Sequence, residues 1–346
     1  MLARDGRGRL LRSHTQTHGS VVLMISLRLL RLTASAVLTA LPCLALAQSY
    51  PTRTVTIVVP YAPGGQIDLV ARIIQPKLQA ELGQNVVIDN KSGAGGNVGA
   101  EFVAAAQPDG YVLLLANPSL AISPHMYKKL NYRPLEDFAY IGQYGRVPNV
   151  LVVNPSLPVK SVAELIAYLK ARPGQLNYGS PGVGTSPQLS MELFKAMTGT
   201  FVVHIPFRGN GPATSALLSN ETQLMVDNLP PQVPFIKSGK TRALAVTSQQ
   251  RSEILPDVPT LDESGLKGYD VSSWFGLAAP ARVAREVVTQ MNAALRRTVE
   301  AKEVRDLLVA RGAQVMEGTP EEFTEFVKAE TARWGPIIQR AGIVAE

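Results

Sequence analysis

Two glycine-rich turns are where this sequence most easily builds chemistry. The first runs Pro60, Tyr61, Ala62, Pro63, Gly64, Gly65, Gln66, and the second Gly179, Ser180, Pro181, Gly182, Val183, Gly184, Thr185, Ser186. Each lies between a short apolar, strand-like run and an apolar pattern of helical spacing. A chain passing through such a turn into a helix leaves backbone N–H groups unpaired at the helix start, beside the positive end of the helix dipole. Each turn is therefore a candidate anion site. Glycine loops between strand and helix are also ordinary α/β punctuation, but two of them far apart in the chain suggest a cleft with one turn on either side. In the second turn Thr185 or Ser186 is the expected cap and Pro187 the first helical residue.

Other reactive constellations are weak. There is no G-x-S-x-G elbow, since Tyr178 lies two residues before Ser180 and Gln188 two after Ser186. Beyond the N-terminal leader described below, His125 and His204 are the only histidines, without an H-E-x-x-H motif or an acidic cluster of metal spacing. No catalytic group, metal or cofactor is expected. Gly93, Gly95 and Gly99 imitate a dinucleotide fingerprint. The acidic residue expected about twenty positions on is missing, and that place falls in the apolar strand 112–115. Neither anion turn carries the lysine of a phosphate-binding loop. Asp68 and Asp227 would make a carboxylate pair across a cleft, although Asp68, near a helix start, serves equally well as a dipole partner. Arg208 is a candidate carboxylate clamp, or an exposed loop arginine.

The elements that must hold these groups alternate strand and helix. Residues 55–59, 86–89 and 111–115 read as strands, and 68–82 and 97–106 as helices, with Pro76 a local irregularity. This order predicts a mainly parallel sheet covered by helices, with ligands at the carboxyl ends of its strands, where 61–65, 90–96, Asn117 and Ser119 fall. Residues 147–155 read as a strand passing between lobes. A second α/β unit follows: a helix over 162–171 capped by Ser161, the second anion turn, and strands at 201–206, 223–226 and 243–247. The strand 270–277 brings the chain back, and helices at 283–299 and from Thr319 onward end it. The expected division is 48–148 with 270–346 as lobe 1 and 149–269 as lobe 2.

The first 47 residues stand apart. They hold six arginines and one acid, Asp5, and an apolar run from Leu32 ends in Ala45, Leu46, Ala47. This is the pattern of a secretory signal peptide cleaved after Ala47. Met24 would begin a conventional short leader, which makes residues 1–23 a candidate upstream extension. A membrane anchor is the competing reading, but the uncharged run is short for a span. Cys43, the only cysteine, lies in the leader behind Pro42, an unsuitable context for lipidation, so no disulfide is expected after cleavage. The whole chain carries 34 Lys and Arg against 27 Asp and Glu. Removing the leader's six and one leaves 28 against 26, so the basic charge that would favour nucleic acid or lipid belongs mostly to the leader.

The segments PYAPGGQID, SGAGGNVGAEFVAAAQPDGYVLL, LEDFAYIG, LNYGSPGVGTSPQLSMELF, HIPFRGNGPA, GKTRALAVTS, LPDVPTLDESG and TPEEF resemble, in order and spacing, the Bug-type extracytoplasmic solute receptors, the substrate-binding subunits of tripartite tricarboxylate transporters. The resemblance implies an α/β, two-lobed periplasmic binding protein (type II, flytrap-like), each lobe a mainly parallel sheet flanked by helices. It implies a small carboxylate as ligand and membrane transporter subunits as partners, with a monomer in the periplasm and no nucleic acid. Carried over by position, it places ligand contacts at Tyr61, Pro63, Gly64, Gly65, Asn117, Ser119, Ser180, Gly184, Thr185, Ser186, Arg208, Gly209 and Asp227; Gln66 borders the same expected cleft and, with Arg208 and Asp227, is a candidate for discriminating among ligands. Departures are Ser92 for a usual proline, Gln66 for a common small residue and Val226 for a frequent aromatic. A periplasmic hydrolase acting on a small carboxylate is the alternative.

Overall fold

The computed structural model describes residues 50–207 and 209–344; the expected signal peptide with its cleavage site and Cys43, and also Arg208, lie outside the described residues. Within the compact unit Pro51–Glu346, strands β1 (Val55–Val59), β2 (Val86–Asn90) and β3 (Val112–Ala116) pair in parallel with β1 in the middle. Helices α1 (Gln66–Leu82) and α2 (Asn97–Ala104) are the crossovers, and α3 (Ser119–Met126) follows β3. α1 ends on Gly83 at φ 63°, where a residue without a Cβ is at ease, and it runs unbroken through Pro76.

The long strand β4 (Phe138–Val153) ties two sheets together. Its residues 138–148 pair antiparallel with β9 (Ser272–Pro280), which in turn pairs with β3. Its residues 149–153 pair antiparallel with β7 (Leu224–Asn228), and residues 150–153 with β8 (Arg242–Val246). β7 pairs in parallel with β5 (Asn177–Ser180), and β5 with the edge strand β6 (Val203–Pro206). The sheets are thus mixed: the parallel triplets read from the βαβ pattern are extended by antiparallel strands. The two long strands form that extension because β9 returns the chain alongside β4, and antiparallel pairing needs no crossover helix. Every residue of β4 from 147 to 153 is buried, which is why this run carries no alternation in sequence.

Helices α4 (Val162–Ala171), α5 (Ser186–Thr198), α6 (Asn210–Leu218) and α7 (Leu229–Lys237) cover the second sheet. Helices α8 (Arg285–Glu300), α9 (Lys302–Ala310) and α10 (Pro320–Ala341) close the chain, with the short β10 (Gln314–Val315) on β4. α10 opens with a complete capping box between Thr319 and Glu322 and a proline in its first turn. Trp334, expected as packing in this helix, is 1% exposed, and its indole N–H donates to buried Glu330 at 3.2 Å. Among the described residues no helix is long and apolar enough to cross a membrane.

Candidate functional site

The carboxyl ends of five parallel strands open into helices whose starts share one cavity. β1 leads to α1, which contributes Gln66 and Ile67; β3 leads to α3 through Asn117, Pro118 and Ser119. From the second sheet, β5 leads to α5 through Pro181 and residues 183–187, β6 to α6 at Asn210, and β7 to α7 at Asn228. α1, α5 and α6 start without a side-chain cap, whereas at α3 the Ser119 N–H donates to Asn117 Oδ1 at 3.1 Å and α7 begins with two prolines, which have no N–H. Tyr61, Gly95, Ser273 and Phe275 complete the wall of a cavity of about 180 Å³. This is below the ~300–1,000 Å³ of sites for drug-sized ligands and suits a small metabolite. No described lining residue is charged at neutral pH. The helix starts turn the positive ends of their dipoles toward the cavity, an arrangement that suits an anion.

Of the fourteen positions expected from sequence, Tyr61, Gln66, Asn117, Ser119, Gly184, Thr185 and Ser186 are on the cavity wall. Pro63, Gly64, Gly65, Ser180, Gly209 and Asp227 are not. The Gly64 N–H, expected to face an anion, instead donates to Asp68 Oδ2 at 2.9 Å. Asp68 also accepts from Arg72 Nε at 2.8 Å and Asn90 Nδ2 at 2.9 Å. Burial pushes its carboxyl up, but these three donors and the Arg72 charge outweigh it and hold the pKa at about 2. Asp68 is thus the clamp that fixes the first turn, with Gln66 and Ile67 directed to the cavity. Thr185 sits at the N-cap of α5, but its hydroxyl donates to the Gly182 carbonyl at 2.8 Å rather than capping.

Ser180 is fully buried and belongs to a polar cluster beneath the second turn. Gly184 N–H donates to Gln188 Oε1 at 2.6 Å, which fixes the amide so that its Nε2 donates to His204 Nδ1 at 3.3 Å. The ring proton then lies on Nε2 and is donated to Ser180 Oγ at 2.7 Å, while the Ser180 hydroxyl donates to the Gly182 carbonyl at 3.2 Å. His204 stacks on Tyr178 with ring centroids 4.6 Å apart, and burial lowers its pKa to about 4. Gly209 precedes α6, with its N–H donating to the Pro181 carbonyl at 2.9 Å.

Asp227 is also fully buried and does not face Asp68 across the cavity. It accepts from Gln232 Nε2 at 2.7 Å, from the Asn228 N–H at 2.8 Å and from the Asn210 amide. Burial raises its pKa to about 6 despite these donors. Its part is to orient two asparagines that do reach the wall. Asn228 Nδ2 also donates to Asn149 Oδ1 at 2.8 Å and Ser273 Oγ at 3.1 Å, and Ser186 and Ser273 share a hydroxyl contact of 2.8 Å.

Asn210, Asn228, Ser273 and Phe275 were missed from sequence. The run LPPQVPFIK, which forms α7, carries three prolines that obscure its helical pattern. Two of them occupy the first turn, where a missing N–H costs nothing. Among the described residues no three or more His, Cys, Asp or Glu side chains gather as a metal site.

Two sheets joined through long strands, with a cavity at their facing carboxyl edges, define a periplasmic solute-binding protein of the two-lobed α/β class. Residues 70–343 match the model of the tripartite tricarboxylate transporter family receptor. The chain belongs to that family, as the resemblance implied. Protein BugT of Bordetella pertussis is 36% identical over 298 residues, 86% of this chain and 91% of that one. A solved R. palustris protein with adipate is 39% identical at a TM-score of 0.75, covering 85% of this chain and 99% of that one. MatC from Rhodopseudomonas palustris with bound malate is 34% identical at a TM-score of 0.71, covering 84% and 100%.

Proposed function

We propose that this receptor captures a small organic carboxylate in the cavity at the facing sheet edges and delivers it to the membrane subunits of a tripartite transporter. The observation that carries the reading is the convergence of five helix starts, three of them without a side-chain cap, on a wall with no described charged side chain. Backbone N–H groups and dipoles recognise a carboxylate group as such, and family membership and the acids bound by two relatives point the same way. Residues 48–148 with 270–346, and 149–269, are the two bodies proposed to close on the ligand, bending where β4 passes from β9 to β7. The chain is read as an exported monomer, cleaved after Ala47.

The hydrolase alternative finds its best nucleophile and base in Ser180 and His204. The ring presents a proton, not a lone pair, to the serine, which is sealed from the cavity. This favours binding without turnover. A thermal-shift screen tests the function: small mono- and dicarboxylates are expected to raise the melting temperature and neutral sugars to leave it unchanged. At a hundredfold excess over Kd the stabilisation is about 2.7 kcal/mol, ample for detection. Shifts with sugars or nucleotides and none with any acid would overturn the reading, and consumption of a bound acid would favour the enzyme.

A further inference from the structure

Asp227 is a fully buried carboxylate set directly behind a cavity suited to anions, and among the described residues no cation pairs with it. Its Oδ1 accepts from the Asn210 amide and the Asn228 N–H, and both asparagines line the cavity. The elements packed on β7 bring little charge toward it. Residues 149–153 of β4 and the whole of α6 contain no ionisable side chain. On β5 and α5, Tyr178 and Lys195 are engaged with Glu192 at 2.5 and 2.8 Å, and Lys237 stands at the far, exposed end of α7. His204, on β6 beyond β5, is bonded to Ser180 and Gln188, and Arg208 lies outside the described residues. The second oxygen of Asp227 is placed to hold a proton. Gln232 Nε2 donates to Asp227 Oδ2 at 2.7 Å and to Thr214 Oγ1 at 2.9 Å, while Gln232 Oε1 is buried without a partner. Turned over, the amide would present its oxygen to the same two groups, with a protonated Oδ2 and the Thr214 hydroxyl now the donors. One end of the amide is unpartnered in either orientation, so neither is favoured on that account. Oδ1 keeps its two donors throughout, and the charge can be lost without releasing the asparagines of the wall.

We propose that Asp227 takes up a proton when the cavity takes up an anion, so that this receptor captures its acid together with a proton stored behind the wall. The inference rests on the carboxylate reading and adds to it a second, linked ligand. An anion in the cavity and the Asp227 carboxylate repel one another across a single layer of asparagine side chains. The coupling is reciprocal: a proton on Asp227 tightens the acid, and the bound acid raises the affinity of Asp227 for the proton. The proton comes from bulk water on capture and returns to it on release. Burial already raises the free carboxyl to about 6, so a further rise brings it into the range of neutral surroundings. His204, lowered to about 4, and Asp68, held at about 2, keep one form between pH 6 and pH 8 and exchange no proton there.

The test is calorimetry on the purified chain, with the tightest binder from a panel of straight mono- and dicarboxylates of two to six carbons as the probe. Titrations at pH 6.5 in two buffers of different ionisation enthalpy count the protons exchanged. For a coupling of about tenfold, within the usual range for linked sites, about half a proton should enter per acid bound. Kd should weaken about five- to tenfold from pH 5.5 to pH 8. Asp227→Asn reproduces the neutral side chain; it should bind without proton exchange, with Kd flat over that range and near the tight value of the natural protein at low pH. In infrared difference spectra of the natural protein, binding should convert part of a carboxylate band into that of a protonated carboxyl. Binding with neither proton uptake nor the carboxyl band, or uptake that persists in Asp227→Asn, would overturn the role of Asp227 while leaving a carboxylate receptor. The infrared measurement needs no variant, so a misfolded Asp227→Asn would not shield the proposal. Failure of every acid in the panel to bind would instead remove the carboxylate reading and this inference with it.

Discussion

Gly184 gives the sharpest separation between what holds the second turn and what closes the cavity. It has φ +77°, and a Cβ placed on it would lie 2.8 Å from Met126 Cε and 3.0 Å from Sδ. Met126 ends α3 beside the first sheet, whereas Gly184 belongs to the turn after β5 in the second, so this contact exists only where the two halves meet. Gly184→Ala should therefore act twice. The left-handed backbone costs an L-residue about 1–2 kcal/mol whether or not ligand is present, and appears as a lower melting temperature. The new methyl group falls about 1 Å short of ordinary carbon contact at 3.5–4.0 Å. Displacing the flexible end of Met126 costs about 0.5–1.5 kcal/mol, but only in the closed form. Affinity for whichever acid the screen identifies should fall about two- to tenfold. Calorimetry on Gly184→Ala in the natural background and in Met126→Ala resolves the two effects. With the methionine truncated, the affinity penalty of the alanine should vanish while its stability penalty remains. An equal loss of affinity in both backgrounds would refute the reasoning and return Gly184 to direct contact with the ligand.

Gly64 offers the contrast, since at φ +86° nothing lies within 4 Å of where a methyl group would stand; Gly64→Ala should cost about 1–2 kcal/mol in denaturant unfolding and leave affinity unchanged. Thr319→Ala, which breaks the capping box of α10, should cost about 1 kcal/mol in the same assay, with ligand binding intact. Asp68, depressed from 3.8 to about 2, contributes stability that is present above pH 3.8 and lost as the pH falls toward 2. Acid unfolding of Asp68→Asn should lack that segment of the curve. Asp227, raised from 3.8 to about 6, contributes stability below pH 3.8 that is lost as the pH rises through 6. His204, lowered from 6.5 to about 4, works the other way, since its contribution is present above pH 6.5 and lost as the pH falls through 4. Asp227→Asn should therefore gain stability relative to the natural protein across pH 4–6, and a flat difference between the two urea-unfolding series would contradict the assignment.

Much of the scaffold was legible because it is local. The β-branched run 55–59, the glycine turns and the helix signals at Ser161 and Thr319 each declare an element within a few residues. The pairing of β4 with β9 was not, because a strand buried on both faces shows no alternation and its partner lies more than a hundred residues away. For the site, the sequence identified two helix starts and the structure five. The missing three belong to short helices, one threaded by prolines, whose apolar periodicity is too brief to register. The roles of Gly64, Ser180 and Asp227 also escaped, since a sequence does not show whether a polar group faces a cavity or a neighbouring side chain.

A cavity whose attraction comes from peptide dipoles has no proton to gain or lose. Asp68, His204 and Asp227, which do titrate nearby, sit behind the wall and reach the ligand only through the turns and asparagines they hold. Apart from any step near pH 6 passed on by Asp227 through Asn210 and Asn228, capture should then change little with acidity down to the point at which the solute's own carboxyl takes up a proton. The lower limit of operation would belong to the cargo rather than to the carrier, and would move with the pKa of whichever acid is being carried.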